Sequence, residues 1–136
     1  MTKVTLNQFA LTTVIILILT LGSATATSDN PQNSVSWFNK GLALSKLNKS
    51  DEAITAYDKA IEINPQNSNA WVFKGSALDD LNKSDEAIEA YDKAIEINPQ
   101  NSYAWDGKGD ALTKINKFDE AIMAYEKAIE IDPKDS

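Results

Sequence analysis

One spacing of 34 residues dominates this chain and recurs three times. Trp37, Trp71 and Trp105 are separated by it, and glycines, alanines, tyrosines and four prolines follow the same register. Self-similarity at this period indicates an array of small supersecondary units, each of which needs its neighbours to bury its apolar face. We therefore assign repeats to residues 34–67, 68–101 and 102–135 of the 136-residue chain.

Each repeat has the pattern of two helices. In the first half, Trp37, Gly41 and Leu44 recur at helical spacing. In the second half, apolar residues from Ala53 to Ile61 form a stripe on one helical face. The predicted helices span residues 35–47, 51–63, 72–81, 85–97, 103–115 and 119–131.

The expected helix ends also follow from the sequence. Ser34 and Ser50 are suitable N-caps for the first two helices. Asn48 can end a helix by adopting the left-handed conformation. Pro65 stops the second helix, because the residue before a proline is pushed out of the helical region.

The positions that stay fixed in all three copies are predicted to form the structural framework. Small residues allow two helices to approach closely, and tryptophan and tyrosine fill the space beside them. These positions are Trp37, Gly41, Ala53, Tyr57, Ala60 and Pro65 in repeat 1; Trp71, Gly75, Ala87, Tyr91, Ala94 and Pro99 in repeat 2; and Trp105, Gly109, Ala121, Tyr125, Ala128 and Pro133 in repeat 3.

This set of residues resembles the tetratricopeptide repeat (TPR) family. The family pattern is a tryptophan, a glycine four residues on, and then alanine, an aromatic residue, alanine and proline at fixed offsets. The chain departs from it at Lys40, Lys74 and Lys108, where the family usually has leucine; a lysine stem can cover apolar surface while its charge stays in water. The resemblance implies an all-α fold: a right-handed α-solenoid of three helix-turn-helix hairpins, preceded here by an apolar N-terminal helix.

The N-terminal segment differs from the repeats. No charge occurs between Lys3 and Asp29, residues 9–21 are almost continuously apolar, and the sequence Ala-Thr-Ala ends at Ala26. A positive start, a short apolar core and this ending are typical of a secretory signal peptide over residues 1–26, followed by a short linker at 27–33. The alternative is an uncleaved membrane anchor formed by residues 6–26. Both interpretations place the repeats outside the cytoplasm, either secreted or periplasmic after cleavage or anchored to the membrane.

Composition argues against several classes of function. The formal net charge of −7 disfavours nucleic acid as a partner. The chain contains no histidine and no cysteine, so it lacks the usual general base and the usual nucleophile–base pairs. The acidic residues lack the ordered spacing of a calcium loop. We therefore expect no enzyme activity, no cofactor and no metal site.

The second helices of the three copies are nearly identical, whereas the first helices differ between their framework residues. The resemblance implies that these variable residues line a concave groove that binds peptides. Neutral drift on a solvated face is the alternative explanation. The groove positions are Val35, Phe38, Leu42 and Ser45; Asn69, Val72, Phe73, Ser76 and Asp79; and Tyr103, Asp106, Asp110 and Thr113.

The expected partner is another protein, bound as a peptide or an amphipathic helix. Some TPR relatives hold a carboxyl-terminal carboxylate with basic groove residues. The matching positions here contain no basic residue: they are Phe38, Leu42, Phe73, Tyr103 and Gly107. Because the groove residues run from apolar to acidic, a basic-ended segment suits them better.

The predicted function is that of a non-catalytic scaffold for protein–protein interaction outside the cytoplasm. The alternative is a self-assembly element that forms weak homo-oligomers through an uncapped C-terminal hairpin. Part of the apolar surface of its final helix is expected to be open, and that helix carries Ile122, Met123, Tyr125, Ala128, Ile129 and Ile131. The sequence also predicts that Trp71 matters more to stability than Asp79, because it places the tryptophan between hairpins and the aspartate on the surface.

Overall fold

The computed structural model describes residues 31–134, and within this range all regular structure is helical. The predicted all-α class is therefore confirmed. The predicted N-terminal helix and leader at residues 1–26 lie outside the described residues, as does the start of the linker. The helices are α1 (Pro31–Lys46), α2 (Ser50–Ile63), α3 (Ser68–Asp80), α4 (Ser84–Ile97), α5 (Ser102–Lys114) and α6 (Phe118–Ile131).

The predicted helix ends are partly confirmed. Asn48 has a φ of 57° and ends α1 in the left-handed conformation, and its equivalents in the other repeats behave in the same way. The two predicted serine caps are wrong. Ser34 lies inside α1, where its hydroxyl donates to the carbonyl of Ala60 at 3.1 Å. Lys49, not Ser50, is the N-cap of α2, and its side chain makes no capping hydrogen bond.

Two first helices begin four residues earlier than predicted. Helix α1 begins at Pro31 and α3 begins at Ser68. At α3 the side chain of Asn67 is the cap, because its Oδ1 accepts from the backbone N–H of Ala70 at 3.2 Å.

Each hairpin is held together by a close approach of its two helices at glycine. A Cβ atom built on Gly75 would lie 2.9 Å from Tyr91 Cε1, and one on Gly109 would lie 2.6 Å from Tyr125 Cε1. The framework alanines of α2 and α4 are fully buried, whereas the three tryptophans are half-buried and Pro65, Pro99 and Pro133 are exposed. The hydrophobic core clusters consist of residues from α1 to α6. The unit Pro31–Ser136 therefore contains its own core.

The hairpins stack as a short helical solenoid whose inner side is formed by the first helices. Helix α1 contacts α3, and α3 contacts α5, whereas α2, α4 and α6 do not contact one another. The first helices therefore converge while the second helices spread apart. None of the described helices is long and apolar enough to span a membrane.

Candidate functional site

We use the term inner face for the exposed stripe of predicted groove residues on α1, α3 and α5. Eleven of the thirteen predicted positions are exposed or half-buried: Val35, Phe38, Leu42, Ser45, Asn69, Phe73, Ser76, Tyr103, Asp106, Asp110 and Thr113.

Two predicted groove residues are buried instead. Val72 packs in the core between the second and third repeats, in contact with α4. Asp79 accepts a hydrogen bond from the buried hydroxyl of Ser84 at 2.9 Å and forms an ion pair with Lys114 at 2.7 Å. Neither side chain is presented to a ligand. The sequence alone did not show that Asp79 has these two partners.

An aromatic cluster covers the first-repeat end of the inner face. The ring of Phe38 lies 5.6 Å from that of Phe73 in an edge-on arrangement and 5.9 Å from that of Tyr57. Tyr57 is buried, and burial raises the pKa of its phenol despite a hydrogen bond with Ser45 at 3.1 Å. Phe73 remains 39% exposed, so this cluster offers an apolar contact surface that packs on the buried ring of Tyr57.

Carboxylates surround the next tyrosine along the array. Burial raises the pKa of Tyr91, and the negative charges of Asp79, Asp110 and Asp80 raise it further. These carboxylates therefore bring negative charge close to the place where α3 and α5 meet. The exposed residues of the inner face thus change from the aromatic Phe38 and Phe73 to the acidic Asp106 and Asp110 along the array.

The acidic end is ordered by a hydrogen bond to the last hairpin. Tyr125 Oη donates to Asp110 Oδ1 at 2.6 Å. Burial contributes most to the raised pKa of Tyr125, and the hydrogen bond to Asp110 makes the next largest contribution. Thr113 is also fixed, since its hydroxyl donates to the carbonyl of Gly109 at 2.9 Å.

A cavity of about 450 Å³ adjoins this end of the inner face. It lies between α5 and α6, and its walls combine the apolar side chain of Ile129 with the carboxylates of Asp106 and Asp132. Within residues 31–134, no three acidic side chains are grouped in a way that could hold a metal ion.

The three lysines that depart from the family pattern lie away from the inner face. Each ammonium sits over the tryptophan of its own helix, at 4.8 Å from the ring centroid for Lys40 and Trp37. Lys74 and Lys108 also form ion pairs with the preceding repeat. These ion pairs were not predicted from the sequence, although acidic residues recur in the same 34-residue register.

Comparison with protein families identifies this architecture. The tetratricopeptide repeat model matches residues 24–68, 38–102 and 74–136, which together include all three hairpins. This chain belongs to the tetratricopeptide repeat family. TPR domains are modules of protein–protein interaction, and the resemblance predicted from the tryptophan, glycine and alanine register is confirmed.

Solved TPR domains have the same fold. The first TPR domain of Spaghetti (RPAP3), bound to the HSP90 peptide SRMEEVD, has a TM-score of 0.76 and 28% identity, covering 77% of this chain and 83% of that one. The TPR domain of Sgt2 from Aspergillus fumigatus has a TM-score of 0.72 and 27% identity, covering 74% of this chain and 67% of that one.

A third similar structure is that of the MamA protein. It has a TM-score of 0.69 and 31% identity, covering 74% of this chain and 55% of MamA. A comparison with curated proteins found no significant match.

Proposed function

We propose that this TPR protein is a non-catalytic scaffold that binds a peptide or amphipathic helix of another protein along its inner face. The observation that carries the proposal is the gradient along that face. Phe38 and Phe73 offer an aromatic surface at one end, and carboxylates that include Asp106 and Asp110 give the other end a negative potential.

The gradient defines the chemistry of the partner. Exposed aromatic rings bury large apolar side chains with little loss of conformational entropy, because the rings are already held in place. The carboxylates attract lysine or arginine and repel acidic segments. We infer that the partner carries apolar residues at helical spacing followed by a basic end.

The basic-ended segment proposed here is opposite in charge to the peptide that is bound to Spaghetti. The sequence SRMEEVD contains three acidic side chains and one arginine. The five positions that we matched to the carboxylate-binding residues of TPR relatives supply no cation in this chain. An acidic peptide would meet the carboxylates of Asp106 and Asp110 with no cation at these five positions, which costs free energy.

We further propose that the repeats act outside the cytoplasm. The uncharged N-terminal segment, with Lys3 before it and Ala24 and Ala26 at its end, supports export by a signal peptide or retention by an anchor. Amino-terminal sequencing of the chain recovered from membrane and soluble fractions tests this: a mature end at Thr27 indicates cleavage, and an intact Met1 in the membrane fraction indicates an anchor.

Substitution of exposed aromatic residues on the inner face tests the binding proposal. A synthetic peptide with leucines at i and i+4 followed by two arginines serves as the probe. Replacing Phe73 and Tyr103 by serine is expected to weaken its binding by at least about tenfold, because exposed aromatic anchors dominate such interfaces. Phe38 is left unchanged, because its ring packs against the core.

Phe118→Ser is the matched control for this experiment. Phe118 is also exposed, and both other repeats have serine at its position. This variant is expected to bind the probe like the wild type. If the double variant kept full affinity while remaining helical, the site would not be the inner face.

Self-association through the last hairpin is a second candidate function. It is favoured by the side chains of α6, among which Ile122, Met123 and Ile129 are each at least half exposed. Ile122 and Ile129 are seven residues apart and lie on one face of α6, and exposed apolar side chains grouped in this way are typical of contact sites.

A further inference from the structure

The same ion pair recurs at both internal junctions of the solenoid. Lys74 Nζ lies 2.7 Å from Asp58 Oδ1, and Lys108 Nζ lies 2.6 Å from Asp92 Oδ1. Each pair joins a first helix to the second helix of the preceding repeat. The lysines are about three-quarters buried at these junctions, so the contact belongs to the packed interface between repeats.

The two residues that continue this series lie at opposite ends of the array. Lys40 on α1 is the lysine of the first repeat, and Glu126 on α6 is the acid of the third. Both are exposed, and neither forms an ion pair with another residue between 31 and 134.

The outer side of α1 has small residues at the positions where α3 packs against the preceding repeat. In α3, Ala70 and Ala77 flank Lys74 and are buried against α2. The equivalent residues of α1 are Ser36 and Ala43, and both are exposed. Small residues at these positions let another helix approach closely, as they do at both internal junctions.

The open side of α6 has the matching receptor surface. At the first junction Ile61 is 9% exposed because α3 covers it, whereas its equivalent Ile129 is 50% exposed. Ile54 and Ile88 are likewise partly buried by the following repeat, whereas Ile122 is 54% exposed.

The cavity beside α6 is the third part of this receptor surface. Its residues Asp106 and Tyr125 correspond to Phe38 and Tyr57, whose rings both contact Phe73 of the next repeat. The cavity of about 450 Å³ is therefore the open equivalent of a site that is filled at the first junction. The residue of α1 at the Phe73 position is Asn39, whose amide can donate to the carboxylate of Asp106.

Charge selects the partner for the open α6 face. Helix α1 contains Lys40 and Lys46 and no acidic residue, whereas α6 contains four acidic residues against Lys127 alone. Two α6 helices packed against each other would bring like charges together, whereas α1 against α6 brings opposite charges together.

We propose that α1 of a second copy docks on α6 in the register of the internal junctions, with Lys40 of one copy paired to Glu126 of the other. This inference rests on the self-association candidate and specifies its geometry. The contact is head-to-tail, so each added copy leaves a new α6 open and the solenoid continues.

The test is a charge exchange in residues 27–136, which include the whole unit Pro31–Ser136 with its own core. Sedimentation of the wild type through the micromolar range is expected to show concentration-dependent association. Lys40→Glu alone and Glu126→Lys alone are each expected to weaken it by at least about tenfold, because each brings like charges together. An equimolar mixture of the two variants is expected to recover association, since each end then meets an opposite charge.

Glu96→Lys makes the same change of charge on the exposed side of α4 and is the control, expected to associate like the wild type. Circular dichroism verifies that every variant is folded. Association that Glu126→Lys removes and Lys40→Glu leaves intact would overturn the head-to-tail geometry while keeping α6 as a contact. A wild type that stays monomeric throughout would overturn self-association itself, and peptide binding on the inner face would be unaffected.

Discussion

The ammonium of Lys114 joins the third repeat to the carboxylate of Asp79 in the second, with 2.7 Å between Nζ and Oδ2. Lys114 also donates to the backbone carbonyl of Asp79 at 3.2 Å. The other carboxylate oxygen of Asp79 accepts a hydrogen bond from the Ser84 hydroxyl at 2.9 Å. Asp79 is only 9% exposed, so these contacts replace most of its hydration.

Replacing Asp79 by alanine should therefore destabilise the array. The change leaves the buried Ser84 hydroxyl without its acceptor and removes the ion pair, for a cost of about 1–3 kcal/mol in the free energy of unfolding. Asp79→Asn should cost less, because its amide oxygen can still accept from Ser84. Urea denaturation measures both changes, and a loss below about 0.5 kcal/mol for Asp79→Ala would contradict the account.

The burial of Asp79 narrows the difference in stability cost that the sequence predicted between the Trp71 and Asp79 substitutions. Trp71 is half-buried, with its indole N–H donating to the carbonyl of Pro65 at 3.1 Å. Trp71→Ala should cost less than the roughly 3–5 kcal/mol of a fully buried tryptophan. We expect the two alanine variants to be closer in stability than the sequence implied.

Gly107 provides a second test of the packing between repeats. A Cβ atom at this position would lie 2.5 Å from both Cε1 and Cζ of Tyr91, a buried ring in the preceding repeat. Gly107→Ala should destabilise by about 1–3 kcal/mol through this clash, although alanine is intrinsically the better helix former. Ser76→Ala is the control at an exposed helical position and should be neutral or slightly stabilising. Equal stability of wild type and Gly107→Ala would disprove the close approach.

The raised pKa of Tyr91 predicts a loss of stability in alkali. Below its ordinary pKa of 10.0 the phenol is neutral in both the folded and the unfolded chain. Above that pH the unfolded chain ionises first, so stability falls as the pH rises towards the folded pKa. Tyr91→Phe should lose less stability than the wild type between about pH 8 and about pH 11. Tyr103→Phe removes an exposed hydroxyl instead and should follow the wild type; parallel curves for all three proteins would refute the prediction.

Thermal unfolding should depend on protein concentration if α6 is a contact surface. Association stabilises the folded form by mass action, so dilution of residues 27–136 should lower the melting temperature. Replacing Ile122 and Ile129 by serine should remove this dependence, because it removes the exposed apolar side chains. Melting curves of the wild type that superimpose over about a hundredfold range of concentration would show that the face needs no partner.

The fold could be predicted because its determinants are local and repeated. The glycine, alanine and tyrosine register fixed which helix faces pack together, and Asn48 marked a helix end. The burial of Asp79 could not be predicted, because its partner Lys114 is 35 residues away and belongs to the next repeat. The junction ion pairs were predictable in principle, since Lys74 and Asp58 both recur in the 34-residue register, but their spatial pairing required the stacked structure.

For the inner face, the sequence gives residue types and the structure adds their arrangement. Phe38 and Phe73 belong to different repeats, yet their rings are 5.6 Å apart because α1 contacts α3. These two variable positions therefore form one surface across the first junction, which drift on a solvated face does not require.

We propose above all that this surface binds an apolar, basic-ended segment. Calorimetric titration of residues 27–136 with two peptides tests this binding most directly. We predict that the leucine–arginine peptide binds, and that the double variant Asp106→Asn with Asp110→Asn binds this peptide more weakly because two carboxylates are removed. The acidic peptide SRMEEVD should bind at least about tenfold more weakly. Tighter binding of SRMEEVD, or equal affinity of the double asparagine variant for the basic peptide, would contradict the claim.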